Sequence, residues 1–499
     1  MPVLKTLNCW PALPIIVQYG GFPGLVPPSP EDDDNVIAAL KQSSRVSTIN
    51  LTVTRTLVSK LSAISKPFTE LEDLILCSQD GLQLTLPNTF KWGPRLRTLH
   101  SIRIAFPSFP HLLVSSQNLV DIRLHEIPVS GYFSPEAFAN ALSGTTKVRS
   151  LLLHFHSLPS RRNYLVLPSL PGERIILPTL TSLKYRGTSM YLDSVVARID
   201  APRLSEINIT FFCQPTMDAS QLGRFIERVG MQTSFSQANI EISTHAISIS
   251  FTNLSTSIPL NLQISCKQVD WQLSCMVQVC SQFSSFLSHV EELGITTTQL
   301  SSVQDDAASE QWVELVRSFE GVRDFRMADK LTKYVLRALY RAAERNTTVL
   351  STLRHLRVEN PMGMNDPSWD ALLTFITSRS LSGRPVHVNV PFFQCKVCHA
   401  GFRLQNGLER HLQGEHAYQV MCSYCANFEW TPGHNDQFRE HLDSEHPEVA
   451  SKSALIWSPL LARSLPSQLE SLLKQHSSFC MPGIVPPSPM VKGLHSRSQ

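Results

Sequence analysis

The sequence predicts an α/β protein in which short strands and helices alternate as stacked units over residues 45–390. Two observations support this prediction: a recurring apolar triplet and helix-like stretches between its copies; two C-terminal clusters of cysteine and histidine predict separate small modules after the stacked units. With 499 residues the chain is too long for one ordinary core, so we expect several domains or an extended repeat.

The triplet is an apolar residue, two intervening positions, a second apolar residue, one position and a third. Nine copies begin at Val46, Leu71, Leu119, Val148, Leu180, Leu204, Val290, Val322 and Leu353, and a looser copy comprises Leu96, Leu99 and Ile102. Neighbouring copies are 23 to 32 residues apart, except for one gap of 86 residues after Leu204. The last two apolar positions alternate with polar ones, so they face one side of a short strand.

Five stretches between the copies place apolar residues at three-to-four spacing and predict helices. They are Phe133–Leu142, Ala219–Val229, Glu310–Phe319, Leu331–Ala343 and Trp369–Thr377. Strands joined by crossover helices form a parallel sheet, and stacked units bury a continuous core that one unit could not, which predicts a solenoid. Its inner surface would present polar strand residues, among them Arg123, His125, His154 and His156.

Other parts of the chain follow different patterns. Alternation in Ala246–Phe251 and Leu260–Ser265 predicts a hairpin insertion within residues 230–287. Residues 1–44 are predicted to be a Pro-rich N-terminal segment, and residues 448–499 a largely disordered C-terminal tail.

The triplets resemble the irregular leucine-rich repeats of fungal F-box proteins, over about residues 40–390. The family usually has Asn or Cys three positions after the last apolar residue of the strand; this chain has Thr54, Gln79, Ile127 and His156 there. We therefore expect an irregular leucine-rich-repeat solenoid. The resemblance implies a substrate-recognising adaptor of a ubiquitin ligase, although the helical box that recruits the ligase core is not found before Val46.

Residues 393–417 carry a zinc-binding pattern with ligands at Cys395, Cys398, His411 and His416. Two thiolates and two imidazoles complete a tetrahedron with no open position, so the predicted Zn²⁺ is structural rather than catalytic. Phe402 and Leu408 supply the small core, and metal binding supplies most of the stability of such a module. The segment resembles the Cys2His2 zinc-finger family at every diagnostic position, which implies a ββα module.

Residues 420–447 form a divergent second finger with predicted ligands at Cys422, Cys425, His441 and His446. The loop between its two ligand pairs is three residues longer than in the first finger, and it contains His434 as a rival ligand. Phe438 corresponds to Leu408, and either Phe428 or Trp430 replaces the core aromatic.

Charge argues against duplex recognition by the two fingers. Residues 395–446 contain four basic and seven acidic residues, whereas duplex binding depends on phosphate contacts. Leu404 and Gly407 occupy base-facing helix positions but cannot form bidentate contacts with bases. A nucleic-acid-binding regulator is therefore the alternative function, and a nucleic-acid partner is disfavoured.

The sequence contains no recognisable catalytic motif, so we expect a non-enzymatic zinc-binding scaffold that binds protein partners through the solenoid and takes no small-molecule substrate. Eleven cysteines, odd in number and scattered, indicate reduced thiols apart from the metal ligands. No membrane span or signal peptide is predicted, and the expected location is intracellular, in either the nucleus or the cytoplasm.

Overall fold

The computed structural model describes residues 13–20, 30–78, 82–106, 108–157, 174–230, 235–252, 260–266, 269–297, 307–327, 331–345, 349–358 and 368–389. It also describes Leu7, residues 393–394, 401–402, 420–421 and 429–430, Glu440 and Ser444. The chain divides into two compact units. Unit 1 comprises Met1–Glu359 and Asp370–Val386, and unit 2 comprises Asn360–Trp369 and His387–Gln499.

The strands of unit 1 follow the chain at short intervals. They are β1 (Ile15–Tyr19), β2 (Val46–Val53), β3 (Asp73–Ser78), β4 (Leu84–Thr85), β5 (Thr98–Ile102), β6 (Ile104–Ala105), β7 (Asp121–Ile127), β8 (Ser150–Phe155), β9 (Ile175–Ile176), β10 (Ser182–Gly187), β11 (Ile199–Asp200), β12 (Glu206–Phe212), β13 (Gln237–Ile242), β14 (Ala246–Thr252), β15 (Leu260–Ser265), β16 (Glu292–Thr297), β17 (Asp324–Met327) and β18 (His355–Val358).

Helices lie between many of these strands. They are α1 (Pro30–Leu40), α2 (Arg55–Leu61), α3 (Phe109–Val114), α4 (Pro135–Leu142), α5 (Ser189–Val196), α6 (Ser220–Val229), α7 (Val269–Ser281), α8 (Ser284–Leu287), α9 (Ala307–Arg317), α10 (Thr332–Glu344) and α11 (Ser368–Leu381), with a 3-10 helix at Val129–Gly131. No helix in the described ranges is both long enough and apolar enough to cross a bilayer.

One large, mostly parallel sheet organises unit 1. Within the described residues, fourteen of its strands are ordered β1-β2-β3-β5-β7-β8-β10-β12-β15-β14-β13-β16-β17-β18. Two short parallel pairs, β4 with β6 and β9 with β11, stand apart from this sheet. The prediction of a mixed α/β protein is thus confirmed. Each triplet copy contributes a strand, and each of the five predicted helices is present with ends shifted by a few residues.

Alternating burial explains why the triplets form strands. In β3, Leu74 and Leu76 are buried while Asp73 and Ile75 are partly exposed, so one face of the strand joins the core. The looser copy was wrong at its last position: Ser101 is buried there, and Ile102 lies on the other face. The Ser101 hydroxyl donates to the carbonyl of Ile104 at 3.4 Å, which offsets the cost of burying it.

A ladder of backbone hydrogen bonds, formed by residues immediately before the strands, joins each strand to the next. The amide of Glu72 donates to the carbonyl of Ser47, and the amide of Arg97 donates to the carbonyl of Glu72, both at 2.8 Å. Equivalent bonds continue through Val120, Arg149, Thr181 and Ser205, and again through Arg323 and Arg354. Main-chain hydrogen bonds therefore link neighbouring strands at the point where each strand begins. At one of the positions where the family has Asn or Cys, Thr54 caps helix α2 by accepting from the amide of Leu57.

The gap of 86 residues contains more sheet than predicted. β14 pairs antiparallel with β15, as the predicted hairpin requires, but β14 also pairs antiparallel with β13. All three strands lie inside the main sheet between β12 and β16, so the hairpin is not a separate insertion. Strand β13 was missed because Gln237–Ile242 alternates correctly but lacks the triplet.

The predicted Pro-rich segment also contributes to the sheet. β1 pairs parallel with β2 through residues such as Val17, which lies opposite Ile49. Helix α1 begins at Pro30, and three acidic residues occupy its first turn, where they complement the helix dipole. The buried residues Ile15, Val17 and Leu40 therefore extend the core into residues 1–44.

Helix α6 is capped by a side chain from its neighbour α5. Ala219, at the N-cap position of α6, has no capping side chain, but the buried Asp193 accepts from the amides of Gln221 and Leu222 at 2.8 and 2.9 Å. We expect Asp193→Ala to lower the free energy of unfolding by about 2–3 kcal/mol, because two amides lose a charged acceptor. Chemical denaturation of the full chain measures this.

Asp193→Asn is the matched control, since its amide oxygen can still accept. Burial raises the pKa of Asp193 to about 6. The folded chain holds the Asp193 proton more tightly than the unfolded chain does, so this proton-linked part of the stability is full below pH 4 and is lost as the pH rises through about 6, while the hydrogen bonds from the two amides remain. The Asn variant should lack that pH dependence. Equal stability of the Ala variant and the wild type would contradict the capping role.

Unit 2 contains short strands in its described residues. They are β19 (His387–Asn389), β20 (Phe393–Gln394), β21 (Gly401–Phe402), β22 (Val420–Met421) and β23 (Glu429–Trp430). β20 pairs antiparallel with β21, and β22 pairs antiparallel with β23. Glu440 and Ser444 are helical.

Candidate functional site

The predicted zinc ligands lie outside the described residues. This applies to Cys395, Cys398, His411 and His416, to Cys422, Cys425, His441 and His446, and to the rival His434. Within the described part of the chain, no three His, Cys, Asp or Glu side chains are placed to hold a metal ion. The structure therefore leaves the zinc prediction untested.

The polar face of the unit 1 sheet brings together the strand residues that sequence analysis placed on an inner surface. Arg123 is exposed, and His125 and His154 are partly exposed; all three lie on the face opposite the core. His156 follows β8, and its side chain is 45% exposed. Because the strands are in register, the side chains on this face form rows that run across the sheet.

Two of these rows carry opposite charges. The row nearest the strand starts contains Asp73, Asp121 and Glu206, and the second row contains Arg123 and Lys184. The guanidinium of Arg123 lies 2.8 Å from Asp121, and the ammonium of Lys184 lies 2.8 Å from Glu206. These partly exposed pairs contribute little to stability, but they neutralise each other across the face.

A histidine row, formed by His100, His125 and His154, runs diagonally across strands β5, β7 and β8, because the register places His100 opposite Arg123 and Ile102 opposite His125. The ring centroids of His100 and His125 are 5.2 Å apart, and those of His125 and His154 are also 5.2 Å apart. Burial lowers the pKa of all three imidazoles, that of His154 to about 4, and the neighbouring cations lower it further. All three rings are therefore neutral at pH 7, and Nε2 of His100 is buried with no hydrogen-bond partner in the described part of the chain.

Acidification should destabilise unit 1 through the histidine row. Because the pKa of His154 is lower in the folded chain, the unfolded chain takes up a proton at a higher pH than the folded chain does. The stability that the neutral His154 ring contributes is therefore present above pH 6.5 and is lost as the pH falls towards 4. We expect His154→Gln to reduce, by a few degrees, the drop in thermal midpoint between pH 7.5 and pH 5. Circular dichroism melts measure this difference.

The exposed imidazole of His111, on helix α3, provides the matched control. His111→Gln should leave the pH-dependent drop in midpoint as it is in the wild type. An unchanged drop in the His154 variant would contradict the role of the histidine row.

Two non-glycine residues with positive φ lie beside the histidine row. Arg103 has φ 60° and Glu126 has φ 51°, an uncommon conformation for residues with a Cβ. Their side chains form an ion pair, and the hydrogen bond from Arg103 holds the pKa of Glu126 below its usual range. The register between β7 and β8 shifts between Leu124 and Ile127, so Glu126 lies in an irregular stretch of β7. Such backbone outliers concentrate at functional sites.

A group of thiols lies elsewhere in unit 1. The sulfur atoms of Cys213 and Cys275 are 3.7 Å apart, and Cys275 donates to the carbonyl of Gln214 at 3.3 Å. Burial raises the pKa of both thiols, and burial raises the pKa of Cys280 to about 12. None of the five cysteines in the described part of the chain is in a disulfide, and the raised pKa values of Cys213, Cys275 and Cys280 make these three thiols poor nucleophiles.

Comparison with known proteins adds no assignment. No protein-family model matches the chain, and no curated protein matches it.

Proposed function

We propose that the chain is a non-enzymatic, zinc-binding scaffold that binds a protein partner on the polar face of its sheet. The main supporting observation is that the residues opposite the core are polar and at least partly exposed on most strands of the main sheet, with apolar exceptions at Ile16, Ile75 and Leu152. A broad surface of this kind suits recognition of another protein.

We infer further that unit 1 is an irregular leucine-rich-repeat solenoid. The successive parallel strands, their spacing in the sequence and the backbone ladder before them support this inference. The resemblance to F-box proteins then implies a substrate-recognising adaptor of a ubiquitin ligase, with an intracellular location. A helical box for ligase recruitment was not found in the sequence before Val46, so recruitment is tested separately.

We also infer that unit 2 contains two Cys2His2 modules with structural Zn²⁺. Short antiparallel pairs flank each cysteine pair: β20 and β21 lie on either side of Cys395 and Cys398, and β22 and β23 on either side of the second pair. Hairpins of this kind suit two thiolates that bind one ion.

The backbone register also favours one candidate for the core aromatic of the second module. Phe402 pairs with Phe393, two residues before the first cysteine, and Trp430 pairs with Val420, two residues before Cys422. This pairing favours Trp430 over Phe428 as the counterpart of Phe402.

An affinity-capture experiment tests the scaffold function. Asn208, exposed near the middle of the polar face on β12, is replaced with Trp; Lys66, exposed in the turn after α2, receives the same residue as a control. Tagged full-length chains should capture the same partners in the wild type and the Lys66 variant, and the Asn208 variant should lose at least one. Ligase-core subunits among the captured proteins would support the adaptor role. Identical partner sets for all three chains would overturn the proposal.

The ligand spacing of Cys395, Cys398, His411 and His416 favours a second candidate, a nucleic-acid-binding regulator, because that family usually binds DNA. The acidic balance of residues 395–446 argues against it. A gel-shift experiment with the full chain and mixed-sequence duplex DNA distinguishes the two. Salt-sensitive binding that zinc chelation abolishes would favour the regulator.

A further inference from the structure

One row of the polar face carries hydrogen-bond donors on five neighbouring strands. This donor row consists of His125 on β7, His154 on β8, Arg186 on β10, Thr210 on β12 and Gln263 on β15. The backbone register aligns His154 with Arg186, Arg186 with Thr210, and Thr210 with Gln263. His125 joins the row through ring contact with His154. None of the five side chains is fully buried.

The length of the donor row fits an extended peptide. Neighbouring strands are ~4.8 Å apart, so five strands span ~19 Å, the length of about six residues at ~3.3 Å each. A segment lying along the row would cross the strands and meet one donor about every one or two residues.

Arg186 has a free guanidinium at the centre of the row. The Phe212 ring lies under its guanidinium, with 5.8 Å between the guanidinium carbon and the ring centroid. Neighbouring Lys184 is paired with Glu206, whereas Arg186 makes no ion pair within the described part of the chain.

Gln263 and His154 also keep polar groups that a ligand could contact. The Thr210 hydroxyl donates to Oε1 of Gln263 at 3.1 Å, which leaves the amide nitrogen of Gln263 available. The ring nitrogens of His154 have no hydrogen-bond partner in the described ranges. From β7 to β15 the donor row contains no carboxylate, and the nearby Glu126 is already paired with Arg103.

We infer that the donor row binds an extended, acidic segment of a protein partner, with carboxylates contacting Arg186 and His154. The inference rests on the proposed scaffold function and specifies the chemistry of its partner. Complementarity of charge supports it: the row offers the Arg186 cation together with the amide nitrogen of Gln263 and the ring of His154, and a carboxylate can only accept hydrogen bonds. The ion pair of Arg103 and Glu126, both of which have positive φ angles, lies beside the donor row.

Proton uptake should accompany binding. His154 faces His125 and Glu126 from β7, and Lys184 and Arg186 from β10; His125 also faces His100 and Arg123. Burial, followed by the cationic neighbours, lowers the pKa of His154 and keeps its ring neutral; a bound carboxylate would offset the neighbouring cations and favour the protonated form. Affinity for an acidic segment should therefore rise as the pH falls from 7.5 to 5.5.

Fluorescence anisotropy with the full chain tests the inference. The probes are fluorescein-labelled hexaglutamate and hexaglutamine. Hexaglutamate should bind and hexaglutamine should not. Arg186→Gln should weaken hexaglutamate binding about tenfold or more, and His154→Gln should reduce its strengthening at pH 5.5. Arg357→Gln, an exposed cation on the same face but on distant β18, should bind like the wild type.

Several outcomes would overturn the inference. Equal binding by the wild type and the Arg186 variant, or equal loss in the Arg357 variant, would show nonspecific attraction. A serine-phosphorylated hexapeptide without carboxylates serves as a further probe. If it binds more than tenfold tighter than hexaglutamate, the donor row recognises phosphate rather than carboxylate. Melts of each variant confirm folding. If hexaglutamate fails to bind while Asn208→Trp still removes a captured partner, the inference fails and the scaffold function stands.

Discussion

Replacing Cys395 with serine should remove about one zinc ion from each purified chain. A serine hydroxyl at neutral pH is a far weaker zinc ligand than a thiolate, and apparent zinc binding in such modules is worth about 10–16 kcal/mol, so the first module should lose its metal outright. Cys422→Ser tests the second module in the same way. Metal content is measured by plasma mass spectrometry on the full chain.

Cys77→Ser provides the control, because Cys77 is a free, partly exposed thiol of strand β3. Its zinc content should equal that of the wild type. Chelation should also make residues 393–447 of the wild type sensitive to protease, since the proposed zinc ions would supply most of the stability of these modules. A Cys395 variant that keeps its full zinc content would rule out the first site.

Phe109→Ala should cause a large loss of stability in unit 1, about 3–5 kcal/mol. Phe109 is fully buried on helix α3, and its ring centroid lies 5.1 Å from that of Phe133, 6.0 Å from that of Phe106 and 6.3 Å from that of Phe138. The substitution opens a cavity and removes several aromatic contacts at once. Equilibrium denaturation of the full chain, followed by circular dichroism, measures the change.

Val114→Ala on the same helix provides a control with an apolar residue that is 58% exposed. Its effect should stay within about 0.5 kcal/mol, since little surface is lost from the core. A Phe109 variant less than 1 kcal/mol below the wild type would show that the aromatic cluster collapses onto the vacated space.

The sequence predicted most of the strands because their buried residues repeat with a fixed period and spacing. It missed β1, where only Ile15 and Val17 are buried and the two prolines before them, Pro11 and Pro14, hide the pattern. The last position of the looser triplet could not be predicted either, because contacts across the sheet decide that Ser101, rather than Ile102, faces the core. In both cases tertiary packing overrode local pattern.

The candidate site was only partly predictable. Arg123, His125 and His154 could be placed on one face from strand alternation alone. The close approach of His100 could not, because it depends on the register between β5 and β7. The positive φ angles of Arg103 and Glu126 left no signal in the sequence, since neither position is Gly or Asn.

The three-strand meander between β12 and β16 has a consequence for the kinetics of folding. Hydrogen bonds across its two borders join residues 53 and 55 positions apart, as in Thr210 with Gln263 and Gln237 with Glu292, against 24 for Ser182 with Glu206. Doubling a loop costs only about 0.6 kcal/mol in closure entropy, so the detour barely affects the equilibrium. The larger sequence separation does slow the formation of the contacts at the two borders of the meander. We therefore expect the strands before β13 and those after β15 to nucleate separately and to join late in folding.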